Sequence, residues 1–146
     1  MKKYVILIST KFPKTHSRAG QSTDFPLKIK WYEKIHTIRG NYEFWKKRFD
    51  EIDKGAAILS VRIWDGLPYR SKQLEVFKYH KIQGIGIEKI DNPSNFVFAS
   101  IGGKMINWLE IATNDGLSFD DFCDWFKFRS NKPMAIIHFT DFRYCA

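Results

Sequence analysis

Helical periodicity is clearest between Asn41 and Gly55. Four apolar side chains recur there at intervals of three and four residues: Tyr42, Trp45, Phe49 and Ile52. Asn41 is a residue type that caps helix N-termini, and Gly55 suits the turn that follows a helix. The pattern therefore predicts one helix with an apolar face turned to the core.

Three shorter helices are predicted from weaker signals. Asp24 caps a helix that extends to about residue 33, with Pro26 in its first turn. A second short helix covers residues 108–113. A third begins after Ser118, because Asp121 three residues later completes an arrangement that resembles a capping box.

The remaining apolar segments are typical of strands. The nearly continuous apolar run at 3–9 indicates a strand buried on both faces, whereas residues 57–64 alternate between two faces. Further strands are predicted at 73–80, 82–90, 95–100 and 134–142. The order of elements predicts an α+β fold, with a small, curved, antiparallel, barrel-like sheet flanked by helices.

Glycines mark two features of these strands. Gly84 and Gly86 interrupt the segment 82–90, which indicates a bend or a close backbone approach, as at a barrel corner. Gly102 and Gly103 separate two short extended segments and predict a tight hairpin.

The length and composition indicate one folded domain. The chain has 146 residues, 44% of them hydrophobic and 24 of them aromatic, which is enough for a packed core and excludes global disorder. No internal repeat or long linker divides it, so we expect a single domain over 1–146 with a long basic loop at 10–24. The apolar run at 4–8 is too short for a membrane span or a secretory core, and we expect a soluble, cytoplasmic protein.

Metal and cofactor sites are not predicted. The chain has two cysteines, Cys123 and Cys145, in no disulfide framework or Cys-x-x-Cys pattern. The four histidines are far apart in sequence and have no partner at metal-ligand spacing. We therefore expect no metal and no cofactor.

Positive charge is concentrated in the first third of the chain. Residues 1–54 carry 13 Lys and Arg against six Asp and Glu, whereas residues 55–146 carry 11 against ten. Such an asymmetry favours a polyanion, a phosphate or an acidic partner, although a merely soluble surface is the alternative. Aromatic residues near this region would offer stacking platforms for bases if they are exposed, Trp31 and Tyr32 among them.

Candidate chemistry lies between residues 34 and 39. Lys34 precedes Thr37 by three residues and would lie on the same side of a helical turn. A lysine whose pKa is lowered by burial can take a hydroxyl proton, which is the Ser–Lys type of activated nucleophile. The alternative is a solvated Lys34 and a Thr37 that caps a turn. Asp115, followed by Gly116, either orients a lysine or satisfies turn amides.

Several segments together resemble the ASCH family, in order over roughly residues 25–142. They are Lys34-Ile35-His36-Thr37-Ile38-Arg39, the strand at 57–64, the turn Asn114-Asp115-Gly116-Leu117-Ser118 and the final apolar strand. That family is related to PUA-like domains, small β-barrels flanked by helices that are associated with RNA. The resemblance therefore implies a PUA-like barrel and a nucleic-acid ligand.

One branch of the ASCH family, the N4-acetylcytidine amidohydrolases, uses a Lys, a Thr three residues on, and a Glu. By similarity, Lys34 would be the base and Thr37 the nucleophile that attacks the acetyl carbonyl, and water would release the resulting threonyl ester. Asp115 falls on the third position, where a carboxylate one methylene shorter replaces the Glu.

These observations lead to three functional predictions. The first is an RNA- or nucleotide-binding domain whose positively charged cleft uses the following residues: Lys14, Arg18, His36, Arg39 and Asn41. The second is an amidohydrolase that deacylates N4-acetylcytidine or a related nucleoside through Lys34, Thr37 and Asp115. The third is an interaction module for an acidic protein partner.

Overall fold

The protein is α+β, as predicted. The computed structural model describes residues 1–93, 97–127 and 132–145. In this part of the chain the elements are β1 (Lys2–Leu7), α1 (Phe25–Lys30), β2 (His36–Arg39), α2 (Tyr42–Asp53), β3 (Ala57–Trp64), β4 (Gln73–Tyr79), β5 (Gly86–Ile90), β6 (Phe98–Ile101), β7 (Lys104–Asn107), α3 (Trp108–Asn114), α4 (Phe119–Trp125) and β8 (Met134–His138). None of these helices is long and apolar enough to cross a membrane.

The strands form two sheets that are mostly antiparallel. The first has the order β1-β3-β4, with β1 parallel to β3. The second has the order β2-β8-β5-β6-β7, with antiparallel neighbours throughout. In the described part of the chain these sheets do not close into a barrel, so the PUA-like barrel is not confirmed.

The local capping signals predicted the helices well. The Asn41 side chain accepts a hydrogen bond from the Phe44 N–H at 3.3 Å and begins α2, and Gly55 follows the helix with a φ of +76°. Ser118 begins α4 in the predicted way by accepting from the Asp121 N–H. Helix α1 is shorter than predicted, and the Asp24 side chain does not cap it.

Three strand predictions need correction. Strand β1 lies at the edge of its sheet, with Ile6 buried but Lys2 and Lys3 exposed, so it is not buried on both faces. The segment 82–90 begins with a 3-10 turn (Lys81–Gln83), and β5 starts only at Gly86. The final strand ends at His138, after which the chain turns back toward the core.

Close packing of the C-terminal segment explains the two glycines of the segment 82–90. Gly84 has a φ of +86°, and a Cβ atom there would lie 2.9 Å from Cβ of Asp141. The Arg143 guanidinium lies directly against Gly86 and donates to the Gly84 carbonyl oxygen at 2.8 Å. The sequence signal for a close approach was correct, but the approaching group is the end of the chain rather than a barrel corner.

The predicted hairpin is confirmed. Ile101 and Lys104 pair across Gly102 and Gly103, whose φ values are +58° and +78°. Two consecutive positive φ angles are what a two-residue hairpin with the right-handed strand twist requires. Residues 95 and 96 of the predicted strand 95–100 lie outside the described residues, and β6 begins at Phe98.

The basic loop at 10–24 is tied down at both of its sides. Lys11 and Ser22 form a backbone bridge, and the Phe12 N–H donates to the Gln21 carbonyl at 2.9 Å. Buried His16 contacts α4, where its Nε2 lies 3.0 Å from the Asp121 carbonyl oxygen. The loop is therefore an ordered cover over one side of the molecule, next to the segment that carries the candidate chemistry.

Candidate functional site

Backbone pairing joins the two segments that carry the candidate residues. Lys34 and Asp115 form an isolated antiparallel bridge, and the Ile35 N–H donates to the Asn114 carbonyl at 2.9 Å. Lys34 lies just before β2, whereas Asp115 is the residue that ends α3. The fold thus brings together two residues that are 81 positions apart.

Gly116 makes this approach possible. Its φ is +78°, and a Cβ atom there would lie 2.9 Å from Cβ of Lys34. A side chain at this position would therefore be strained twice, by its own backbone and by the neighbouring lysine. The Asp-Gly pair identified in the sequence is a close backbone contact as well as a turn.

The Lys34 ammonium group is buried and held from several directions. Its side chain is 1% exposed, and Nζ donates to the carbonyl oxygen of Asp115 at 2.8 Å and to its Oδ1 at 3.1 Å. Nζ also lies 4.1 Å from the centre of the Phe25 ring, a cation–π contact. Lys34 is not the solvated side chain of the alternative interpretation.

Burial sets the electrostatics of this pair. Desolvation lowers the pKa of Lys34, and the Asp115 carboxylate opposes this effect. Desolvation raises the pKa of Asp115, but the Lys34 charge and the hydrogen bond from His36 outweigh it, so that the pKa lies below its usual value. Asp115 is therefore a carboxylate at neutral pH, next to a lysine that gives up its proton more easily than usual.

Thr37 and Arg39 lie on strand β2. The prediction that a helical turn places Lys34 and Thr37 side by side is therefore wrong. Within β2, Thr37 pairs with Ile137 of β8. Thr37 Oγ1 accepts a hydrogen bond from Nη1 of Arg39 at 2.9 Å, and the same guanidinium donates through Nη2 to the Leu7 carbonyl at 2.6 Å. Arg39 thus joins the nucleophile candidate to β1 of the other sheet.

A small pocket lies at the meeting point of these residues. Its polar lining is Ser9, Lys34, Thr37, Arg39 and Asp115, and its apolar lining is Ile8, Phe25, Ile38, Leu117, Trp125 and Phe126. The cavity volume of about 20 Å³ holds roughly one water molecule. All three predicted catalytic residues line this one pocket, although an acyl group enters it only when lining side chains move.

His36 was predicted to contact a ligand but is completely buried behind Asp115. Its Nδ1 lies 3.1 Å from Asp115 Oδ1, and its Nε2 lies 2.6 Å from the Tyr144 hydroxyl oxygen. Asn114 Nδ2 donates to that same hydroxyl oxygen at 3.0 Å. Sequence reasoning missed Tyr144 and the side-chain role of Asn114, and only the position of Asn114 beside Asp115 offered a signal.

A second buried histidine fixes the C-terminal segment. His138 Nε2 lies 2.8 Å from Glu88 Oε1, and the Glu88 carboxylate also accepts the backbone N–H groups of Tyr144 and Cys145 at 2.8 and 3.1 Å. Burial, with smaller contributions from the neighbouring His36 and Arg143 side chains, lowers the pKa of His138 to about 2. His138 is therefore neutral and donates Nε2–H to Glu88.

The other predicted binding residues do not line the pocket. Arg18 pairs with Asp121 at 2.6 Å and stacks 4.7 Å from the Phe12 ring centre, beside a separate polar cavity of about 60 Å³. Asn41 caps α2, and Lys14 is exposed in the basic loop. The positive charge of the first third is thus partly neutralised by acidic residues of later elements, as Lys3 also pairs with Glu75.

The exposed aromatic residues lie just after α1. Trp31 is 64% exposed and Tyr32 is 74% exposed, and Lys30 Nζ lies 5.4 Å from the Trp31 ring centre. Tyr32 adopts a φ of +60°, which is unusual for a bulky side chain. This aromatic pair, with Lys30 against one of its rings, is accessible to a flat ligand.

Within the described residues, no group of three or more His, Cys, Asp or Glu side chains is arranged to hold a metal ion. Comparisons of the chain with protein-family models, with curated proteins and with solved structures gave no significant match.

Proposed function

We propose that the protein is a hydrolase that removes an acyl group from an amide nitrogen of a modified nucleoside. The observation that carries the proposal is the convergence of Lys34, Thr37 and Asp115 on one pocket. The similarity of the same three positions to the ASCH amidohydrolases suggests N4-acetylcytidine as the substrate class. An Asp in place of the family's Glu suits this site, because its backbone already brings it against Lys34.

The proposed reaction begins with the Thr37 hydroxyl. Its oxygen attacks the acyl carbonyl carbon, and its proton passes to the neutral form of Lys34, which burial favours by lowering the lysine pKa. The carbon–nitrogen bond then breaks, and the leaving amine takes the proton from the Lys34 ammonium. Water hydrolyses the threonyl ester, which releases the carboxylic acid and restores Thr37.

The two charged neighbours have different parts in this reaction. Arg39 lies against Thr37 Oγ1, so its guanidinium can stabilise the negative charge that develops on the carbonyl oxygen. Asp115 stabilises the Lys34 ammonium that forms while the proton is in transit. Lys34 Nζ bonds to Asp115, and Thr37 Oγ1 bonds to Arg39, so the reaction requires Nζ to turn toward Thr37 when substrate enters.

The test is turnover of N4-acetylcytidine, followed by chromatography for free cytidine. We expect conversion by the wild type and its loss in Lys34→Ala and in Thr37→Val, which keeps the shape of the side chain without its hydroxyl. Thr113→Val, at an exposed threonine of α3, is the matched control and keeps the activity. Equal turnover by the wild type and Thr37→Val would refute the proposal.

A second candidate function is binding of single-stranded RNA, favoured by the exposed Trp31 and Tyr32 and by Lys30 beside the Trp31 ring. Bases stack on such rings, and lysines attract the phosphates. We expect affinity for a short RNA to fall steeply with rising salt, and Trp31→Ala to weaken binding. Tyr69→Ala, at an 86% exposed tyrosine between β3 and β4, is the control. Salt-insensitive binding of a folded acidic protein instead would favour an interaction module.

A further inference from the structure

A continuous chain of side-chain hydrogen bonds lies behind the pocket. It runs from Lys34 Nζ to Asp115 Oδ1, from there to His36 Nδ1, from His36 Nε2 to the Tyr144 hydroxyl, and on to Asn114 Nδ2. His36, Tyr144 and Asp115 are all buried. Of the residues in this chain, only Lys34 and Asp115 line the pocket. His36, Tyr144 and Asn114 therefore affect a ligand only through Asp115.

The direction of each hydrogen bond in the chain follows from the chemistry of its members. The Asp115 carboxylate only accepts, so His36 Nδ1 carries a hydrogen and donates it. In the neutral imidazole Nε2 then accepts, which makes the Tyr144 hydroxyl the donor to His36. The Tyr144 oxygen in turn accepts from the Asn114 amide N–H. Every donor in this order meets an acceptor.

We infer that His36, Tyr144 and Asn114 are positioning residues, which fix the Nδ1–H tautomer of His36 and thereby hold Asp115 against Lys34. For catalysis this rests on the proposed function, whereas the tautomer stands on the geometry alone. Each member is also held by its backbone. The Asn114 carbonyl accepts from Ile35, and Glu88 accepts the Tyr144 N–H, so the tyrosine hydroxyl reaches His36 from a fixed place.

The surroundings of His36 contain other titratable groups that the test must leave intact. The His138 ring centre is 5.6 Å from that of His36, and His138 is bonded to Glu88. Lys34 lies beyond Asp115. Removing only the Tyr144 hydroxyl leaves all of these groups in place, so Tyr144→Phe is the most selective change.

The experiment is nitrogen NMR of protein labelled with ¹⁵N-histidine. In the wild type, we expect His36 to have a protonated Nδ1 and a bare Nε2. In Tyr144→Phe the bare Nε2 loses its hydrogen-bond donor, and we expect its ¹⁵N shift to move to that of an unbonded imidazole nitrogen, while Nδ1 stays protonated against Asp115. Tyr42→Phe, at a half-buried tyrosine of α2, is the control and leaves them unchanged.

A second variant keeps the inference testable if Tyr144→Phe does not fold. Asn114→Asp is nearly isosteric but replaces the donor with an acceptor, so the Tyr144 hydroxyl turns toward the introduced carboxylate. His36 then donates from both nitrogens, and its ¹⁵N shifts become those of an imidazolium. A wild-type His36 protonated on Nε2, or shifts that neither variant changes, would overturn the inference.

Kinetics separate this inference from the proposed function. With N4-acetylcytidine, we expect Tyr144→Phe to lower kcat about tenfold and to leave KM nearly unchanged, since Asp115 is not a substrate contact in the ground state. The expected NMR result without turnover by any variant or the wild type would remove the hydrolase proposal and leave the positioning chain standing. Turnover with an unchanged kcat in Tyr144→Phe would overturn the positioning role.

Discussion

Lys34 binds both oxygen-bearing groups of Asp115, the backbone carbonyl at 2.8 Å and the carboxylate at 3.1 Å. The lysine thus binds the backbone of the turn as well as the negatively charged carboxylate of Asp115. Because the pair is buried, removal of one partner leaves the other without compensation, and this makes its effect on stability measurable.

Asp115→Asn should therefore destabilise the fold strongly. The change keeps the shape and the backbone carbonyl but removes the charge opposite Lys34, and we expect the free energy of unfolding to fall by about 3 kcal/mol. Urea unfolding at neutral pH measures this. Asp50→Asn, in the exposed pair with Lys46, is the control and should change stability by less than about 0.5 kcal/mol. Equal midpoints for both variants would show that the buried pair is not coupled to folding.

Gly116→Ala should cost more than the same change at Gly55. Both glycines have a positive φ, +78° and +76°, so the backbone strain of an alanine is matched at about 1–2 kcal/mol. Only at position 116 does the new Cβ press on Lys34, whereas nothing lies within 4 Å at position 55. We expect an additional loss of about 1 kcal/mol or more in urea unfolding, and a loss of turnover in Gly116→Ala alone. Identical losses at both positions would contradict the close packing of the turn on Lys34.

Stability should fall as the pH drops below 6.5, before most carboxylates titrate. The pKa of His138 is about 2 in the folded protein and near 6.5 in the unfolded chain, so unfolding takes up a proton throughout this window. The contribution of neutral His138 to the free energy of unfolding is fully present above pH 6.5. Below that pH it decreases by at most about 1.4 kcal/mol per pH unit. Asp115, whose folded pKa is also lowered, adds to the loss at more acidic pH.

Urea unfolding of His138→Gln at pH 7, 5.5 and 4.5 checks this prediction. Glutamine keeps a donor for Glu88 but does not titrate, so the decline between pH 6.5 and 4.5 should be much smaller. His80→Gln, at an exposed histidine, should keep the wild-type decline. If all three proteins lose stability in parallel, His138 is not the group responsible.

Arg39→Lys should weaken both stability and turnover although the charge is kept. A lysine cannot donate at once to Thr37 Oγ1, the Ile38 carbonyl and the Leu7 carbonyl, as the guanidinium does. We expect a loss of about 1–2 kcal/mol in urea unfolding and a tenfold or greater drop in kcat with N4-acetylcytidine. Arg70→Lys, at an exposed arginine, should resemble the wild type. Full activity of Arg39→Lys would mean that only the charge matters.

Local signals in the sequence predicted local structure. Asn41 and Ser118 cap the helices that their side chains indicated, and residues 57–64 form β3 as the alternation predicted. Where contacts between segments far apart in sequence matter, the hydrophobic pattern was insufficient to predict the structure. Gly86, where β5 starts, packs against Arg143 of the segment that follows β8, and no periodicity reveals this contact.

The candidate site divides in the same way. Residue types in the segment 34–39 and the Asp-Gly turn located Lys34, Thr37 and Asp115, but the helical relation assumed between the first two is a strand. Tyr144 is 108 residues from His36 and reaches it only because the chain turns back after His138. Its neighbours in the sequence carry no sign of this contact, so three-dimensional structure was needed to find it.

The hydrogen bond from Arg39 to Leu7 connects the two sheets through a side chain rather than through paired strands. The pocket is lined from both sides of this contact, by Ile8 and Ser9 after β1 and by Thr37, Ile38 and Arg39 of β2. Since the cavity of about 20 Å³ holds roughly one water, a larger guest must displace side chains of this lining. A guest that displaced the Arg39 guanidinium from the Leu7 carbonyl would break this hydrogen bond between the two sheets.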